Sequence, residues 1–171
     1  MRAFQFGVIG AVVPLVVVLD QLTKWIVEST MELYELIPVI PGLFNLTRTY
    51  NYGAAFGMFS GMSDGWREAV LVLTATVALI VVGYFLRHPH YQGRLSQVSL
   101  SMVLGGAIGN LIDRFFRGAV VDFLDFYVAT YHWPAFNIAD SAICIGVACM
   151  LFGPIGIKAD ERSEAPGTQP E

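Results

Sequence analysis

The chain has 171 residues, 55% of them hydrophobic, and its 14 acids against 10 bases give a net charge of −4. Only 14% of the residues are charged, well below the roughly 25% of an ordinary soluble domain, so the composition points to the bilayer. It excludes a nucleic-acid binder, which needs an excess of base, and a disordered chain, which needs low hydrophobicity. The two cysteines, Cys144 and Cys149, both lie inside an apolar run, which excludes a disulfide framework or a cysteine zinc site.

In chain order, four charge-free runs of 17, 18, 18 and 17 residues lie between Arg2 and Asp20, Glu68 and Arg87, Arg94 and Asp113, and Asp140 and Lys158. A helix needs roughly 20 mainly apolar residues to cross about 30 Å of hydrocarbon. With a few flanking residues each run reaches that length, and transmembrane helices are predicted at about 6–27, 67–87, 95–113 and 137–157. The first has the basic start and apolar core of a secretory signal. It lacks a small-residue cleavage site, and Asp20, Gln21 and Lys24 interrupt its far end, so it reads as a retained span.

Between the first two spans, Glu28 to Leu36 is predicted to form a short amphipathic helix along the membrane surface, ended by Pro38 and Pro41. Phe44 to Asn51 sets Phe44, Leu46 and Tyr50 against Asn45, Thr47, Thr49 and Asn51, the alternation of a short strand. The chain then bends through Gly53 to Gly57. At the other end, residues 158–171 are charged, contain proline and are nearly devoid of large apolar side chains. They are expected to be a disordered cytoplasmic tail on an integral-membrane domain of residues 1–157. His88 and His90 sit in a basic turn and the two thiols read as buried, so no metal and no cofactor are expected.

Four spans put both termini on one side and gather the polar residues on the other. Asp20, Gln21 and Lys24 close the first span, Asn110, Asp113 and Arg114 close the third, and Asn137, Asp140 and Ser141 open the fourth. Trp25, Trp66 and Trp133 mark the same surface, as expected of rings that settle at headgroup level. Five bases fall on each side, but Arg87 and Arg94 in a short loop favour the cytoplasm for that loop and both termini. In the third span, Gly105, Gly106 and Gly109 make room for a close neighbouring helix.

Carboxylates near the hydrocarbon are expensive and usually mark function. Asp20 and Lys24, four apart, fit a local ion pair. Asn110, Asp113 and Arg114 stack an amide, a carboxylate and a guanidinium on one stripe suited to an extended peptide, although Asp113 and Arg114 also fit a structural pair. Asp122 lies in an apolar loop before the fourth span. Two carboxylates in low dielectric share a proton, and such a pair can hydrolyse a peptide without a metal or a covalent intermediate. Spacing alone leaves open which of Asp20, Asp113, Asp122, Asp125 and Asp140 form it.

Five blocks carry a resemblance: Asp20-Gln21-Leu22-Thr23-Lys24, Asn51-Tyr52-Gly53-Ala54-Ala55-Phe56, the run from Gly105 to Arg114, Val120-Val121-Asp122-Phe123, and the run from Pro134 to Ser141. In this order and over this length the chain resembles lipoprotein signal peptidase, the bacterial signal peptidase II. The resemblance implies an aspartic endopeptidase of the bacterial inner membrane. It would remove the signal peptide from prolipoproteins already carrying diacylglycerol, cutting just before the lipidated cysteine. The catalytic pair would be Asp122 and Asp140, the substrate-binding residues Asn51, Asn110, Arg114 and Asn137, and the supporting residues Asp20, Lys24 and Asp113. It also implies a periplasmic β-cradle around Asn51 and an active site near the periplasmic surface.

The expected fold is therefore an all-α membrane protein of four transmembrane helices with a small periplasmic β-cradle and a short surface amphipathic helix. The expected partners are the diacylglyceryl-prolipoprotein substrate and membrane lipids, with no nucleic acid, and a monomer is expected. A proton-coupled carrier is the main rival, but carriers place their acids near the midplane, and here they collect at one end. A noncatalytic assembly partner leaves that collection unexplained. The aromatic cluster Tyr127, Tyr131, His132, Trp133 and Phe136 reads as an interfacial anchor that secondarily walls the site.

Overall fold

The structure, a computed structural model, describes residues 2–53 and 93–152 and, between them, 73, 76, 77, 80 and 82–85, with side chains described from residue 7 onward. The apolar first run forms α1, Arg2–Thr30, of 29 residues with Pro14 inside it, about 44 Å long at 1.5 Å per residue. Arg94–Arg117 forms α2, of 24 residues, and Ile138–Phe152 forms α3, of 15. From Gly7 onward α1 is long and apolar enough to cross a membrane, and so is α2.

The solvent for which these helices are built can be read from their faces. Leu15, Val18, Leu22 and Trp25 of α1, Phe115 and Phe116 of α2, and Leu151 and Phe152 of α3 are exposed, whereas Asp20, Lys24, Gln97, Ser101, Asp113 and Asn137 are wholly buried. A water-soluble domain does the reverse. Apolar outside and ionic inside is the arrangement that hydrocarbon surroundings select.

Small residues let the three helices approach. A Cβ on Gly105 would stand 2.9 Å from Val16 Cβ of α1, and one on Gly106 would collide with the Ala139 carbonyl oxygen of α3. One on Gly109 would lie 2.6 Å from Asp20 Oδ2, and on α3 one on Gly146 would lie 2.6 Å from the Ser99 carbonyl oxygen. Gly118 then ends α2 in the left-handed conformation, φ 74°, its N–H donating to the Arg114 carbonyl at 3.2 Å. This is the backbone geometry for which glycine is selected at a helix C-terminus, and it turns the chain directly into the next strand.

A four-stranded antiparallel sheet, in the order β1-β2-β3-β4, sits at this end of the helices: β1 is Leu36–Ile40, β2 Phe44–Asn51, β3 Val120–Val128 and β4 Tyr131–His132. β1 lies at the sheet edge, where Pro38 is tolerated. Arg48 of β2 donates from Nη1 to the Glu28 and Met31 carbonyls, at 3.1 and 2.8 Å, and so caps the C-terminus of α1. Val27 and Met31 pack with Val121 and Phe123 as the apolar seam between α1 and β3.

Several expectations change here. The fold is not all-α, because a sheet of four strands pairs segments far apart in the chain, and the predicted strand is one member of it. The surface helix from Glu28 to Leu36 does not form: Glu28 to Thr30 belong to α1, and Leu36 already begins β1. Tyr34, at φ 64°, reverses the chain, and its N–H donates to the Arg48 carbonyl at 2.8 Å, so this segment satisfies its backbone against β2. Asp122 stands on β3 rather than in a loop. Cys144 is exposed and Cys149 intermediate, not buried. Of the predicted second span, the described residues 73, 76, 77, 80 and 82–85 are helical. The remainder of that span, Trp66, His88, His90 and the 158–171 tail lie outside the described residues.

Candidate active site

A cavity of about 470 Å³ opens where the ends of α2 and α3 meet the sheet. Asn51, Asn110, Arg114, Asp122 and Asp140 contribute its polar lining, with Val120, Trp133, Pro134, Ala135, Phe136 and Ile143 as apolar walls. Each polar group arrives by a local device. Asn45 opposes Asp125 and Leu46 opposes Leu124, but Thr49 opposes Asp122, so one extra residue is accommodated between Leu46 and Thr49. A strand alternates faces residue by residue, so this bulge moves Thr49 and Asn51 from the face of Asn45 and Thr47 to the face of Asp122. Asn51 Nδ2 accordingly donates to Asp122 Oδ2 at 3.1 Å.

Asn137 is the N-cap of α3: its Oδ1 accepts the Asp140 N–H at 2.9 Å, and its carbonyl accepts the Ser141 N–H at 3.1 Å. With Oδ1 committed, Nδ2 is free to donate to Asp122 Oδ1, which it does at 2.7 Å. Asn110 of α2 donates to Asp140 Oδ1, also at 2.7 Å. Each carboxylate of the cavity is thus held by an amide whose other end is fixed elsewhere.

Beneath them lies a buried ionic cluster. Lys24 Nζ reaches Asp20 Oδ2 at 2.8 Å, Asp113 Oδ2 at 2.7 Å and Asn110 Oδ1 at 3.1 Å. Asp20 Oδ1 accepts the Ala139 N–H at the start of α3, where a helix favours negative charge, and Asp113 Oδ2 accepts the Val121 N–H of β3. Arg117 and Gln21 complete Asp113 through its Oδ1, at 2.7 and 2.8 Å. Arg114 donates to the Asn110 and Gly53 carbonyls, and its buried Nε has no hydrogen-bond partner among the described residues.

Asp122 is 3% exposed. Burial, reinforced by the negative charge of Asp140, pushes its carboxyl up from 3.8 to about 7, against the opposing pull of the Asn51 and Asn137 amides. A carboxyl that holds its proton near neutrality, beside a second carboxylate on the same cavity, supplies an acid and a base at once.

The family model for signal peptidase (SPase) II matches residues 12–155. The chain belongs to the signal peptidase II family. It is 45% identical over 165 residues to the lipoprotein signal peptidase of Geobacter sulfurreducens, covering 96% of this chain and 97% of that one. It is 44% identical over 161 residues to that of Geobacter metallireducens, covering 94% and 96%. Among solved structures, a bacterial membrane enzyme determined by the in meso method at 2.3 Å resolution aligns with a TM-score of 0.78 at 33% identity, covering 94% of this chain and 95% of that one. A second such structure, at 1.9 Å resolution, gives 0.74 at 36% identity, covering 85% and 90%.

In this member of the signal peptidase II family, the predicted residues fall into two layers. Asp122, Asp140, Asn51, Asn110 and Arg114 line the cavity, while Asn137, Asp20, Lys24 and Asp113 lie behind it in the hydrogen-bonded support. Asp113 pairs with Lys24 and Arg117, not with its neighbour Arg114. Asp125 turns to the other face of β3, where Asn45 and His132 hold it. Sequence reasoning missed Arg117 as a member of the cluster, although its i,i+4 spacing from Asp113 was a usable signal. It also missed Glu28, bound by Arg117 Nε at 2.9 Å and Tyr50 Oη at 3.0 Å, which no spacing announces.

Proposed function

We propose that the chain is a membrane-embedded aspartic endopeptidase. It removes the signal peptide from diacylglyceryl-modified prolipoproteins by cutting just before the lipidated cysteine. The observation that carries this reading is the pair of carboxylates on one cavity, each held by an amide, with Asp122 raised to about 7. The protonated member, Asp122, hydrogen-bonds the scissile carbonyl oxygen. The ionised Asp140 takes a proton from a water molecule, whose oxygen adds to the carbonyl carbon. Proton return to the amide nitrogen then breaks the C–N bond and leaves a new carboxylate and a free amine. Asn51, Asn110 and Arg114 present polar groups to the unpaired backbone of an extended peptide, and Arg114 Nε, without a partner among the described residues, is a donor suited to a peptide carbonyl.

Membership of the signal peptidase II family and the apolar outer faces support placement in the bacterial inner membrane. We place four spans there, both termini in the cytoplasm, and the cavity and the β-cradle near the periplasmic surface. The enzyme works as a monomer, in contact with membrane lipids. The test is cleavage of diacylated and unmodified precursor in proteoliposomes. The wild type cuts only the diacylated form, and Asp122→Asn and Asp140→Asn each lose at least about 10³-fold in kcat, the scale of losing a catalytic acid or base. Cleavage retained in either variant rejects the pair, and equal cleavage of both precursors rejects the lipid requirement.

A further inference from the structure

Asp125, three residues beyond Asp122 on β3, is 5% exposed and takes no part in the cavity. Its Oδ2 accepts Asn45 Nδ2 of β2 at 2.8 Å, and its Oδ1 accepts the Nδ1–H of His132 on β4, also at 2.8 Å. The His132 ring stacks on Tyr127, with centroids 4.9 Å apart and planes within 8°. The Tyr127 hydroxyl in turn accepts the Gly42 N–H at the β1–β2 turn, at 2.8 Å. One carboxylate therefore ties three strands together through side chains alone.

The tie bears on the cavity through the segment that His132 leads into. β4 is two residues long, too short to hold itself by its ladder. The next four residues, Trp133 to Phe136, form a wall of the cavity. Their backbone runs back along β3: the Trp133 N–H donates to the Phe126 carbonyl at 2.8 Å, the Phe136 N–H donates to the Leu124 carbonyl at 3.1 Å, and the Phe136 carbonyl accepts the N–H groups of Phe123 and Leu124. Asp125 lies between these attachment points.

We infer that the Asp125–His132 contact is the latch that sets the Trp133–Phe136 wall at its distance from the carboxylates, which makes both residues positioning residues for substrate. The inference rests on the proposed peptidase reading only for what the wall contacts. Loosening the wall weakens substrate placement while leaving the reacting groups as they are.

The test uses the full-length protein in detergent micelles, comparing wild type, His132→Ala and His132→Asn. Asn Nδ2 occupies the place of His Nδ1, so it restores the donor without the ring. In His132→Ala, amide hydrogen exchange at residues 131–136 rises about tenfold or more and KM for diacylated precursor rises about tenfold, with kcat within about twofold; His132→Asn brings both back toward wild type. Unchanged exchange in His132→Ala, a fall in kcat at constant KM, or no recovery in His132→Asn overturns the latch. The exchange arm needs no cleavage, so a wild type that fails to cut the precursor sinks the peptidase reading and leaves the latch to be judged on exchange.

Discussion

Lys24 Nζ donates to Asn110 Oδ1 at 3.1 Å, from a position with no exposure at all. Together with Asn137 Nδ2, which donates to the same oxygen at 3.3 Å, that bond sets which way the Asn110 amide points: with Oδ1 turned to the cation, Nδ2 faces Asp140. The cluster below the cavity thus orients a group of the cavity, in addition to neutralising two buried acids.

Removing the cation tests this. Lys24→Met leaves Asp20 and Asp113 buried without their shared partner, and breaking a buried pair from one side costs about 3–5 kcal/mol. The unfolding midpoint in detergent drops accordingly, and Lys24→Met combined with Asp113→Asn recovers part of the loss. A change below about 1 kcal/mol would mean that the amides and Arg117 already compensate both acids.

The raised Asp122 carboxyl gives the protein a pH dependence of defined sign. Its folded-state value, about 7, lies above the ordinary 3.8, so the fold favours the neutral acid. That contribution is complete below about pH 4 and is lost as the pH climbs through about 7, a change of about 4 kcal/mol at most. Asp122→Asn therefore flattens the stability profile between pH 4 and 8 and is the more stable protein at about pH 8. The wild-type cleavage rate falls on the alkaline side with a midpoint near 7. Asn51→Ala removes a bond that holds this value down and shifts that midpoint upward. Thermal unfolding and kcat/KM, each measured across pH, check all three.

The glycines of α2 differ in what they tolerate. Gly106→Ala drives a methyl into the Ala139 carbonyl of α3 and lowers stability by about 1–3 kcal/mol. Gly109→Ala presses on Asp20 Oδ2, within 2.6 Å, and lowers kcat as well as the midpoint because that oxygen holds Lys24. Gly10→Ala in α1 meets nothing within 4 Å among the described residues and leaves the midpoint unchanged or up to about 1 kcal/mol higher. Unfolding midpoints in one detergent rank the three.

The range of the forces involved decides which features are legible in the sequence. The strand Phe44–Asn51 was legible to the residue, because alternation is local. The polar groups at the helix ends were legible because a charge in an apolar run is conspicuous, and Asp20, Lys24, Asn110, Asp113, Asn137 and Asp140 do join one network. The strand carrying Asp122 was not legible: Val120 to Phe123 are all buried, so no alternation marks them, and the partner β2 lies about seventy residues away. The surface helix failed for a related reason. Its residues satisfy the backbone through Arg48, a side chain that local pattern cannot enlist.

The bulge in β2 gives that strand two reading frames. Before it, Asn45 serves the latch face; after it, Asn51 serves the cavity. Losing Tyr50, just past the bulge, would slide the frame and set Tyr52 where an amide now meets Asp122, even though every side chain named in the cavity were still encoded. Spacing in this stretch is therefore as much a determinant of the enzyme as identity, and length variation among relatives should be sparse there and free in the turns on either side.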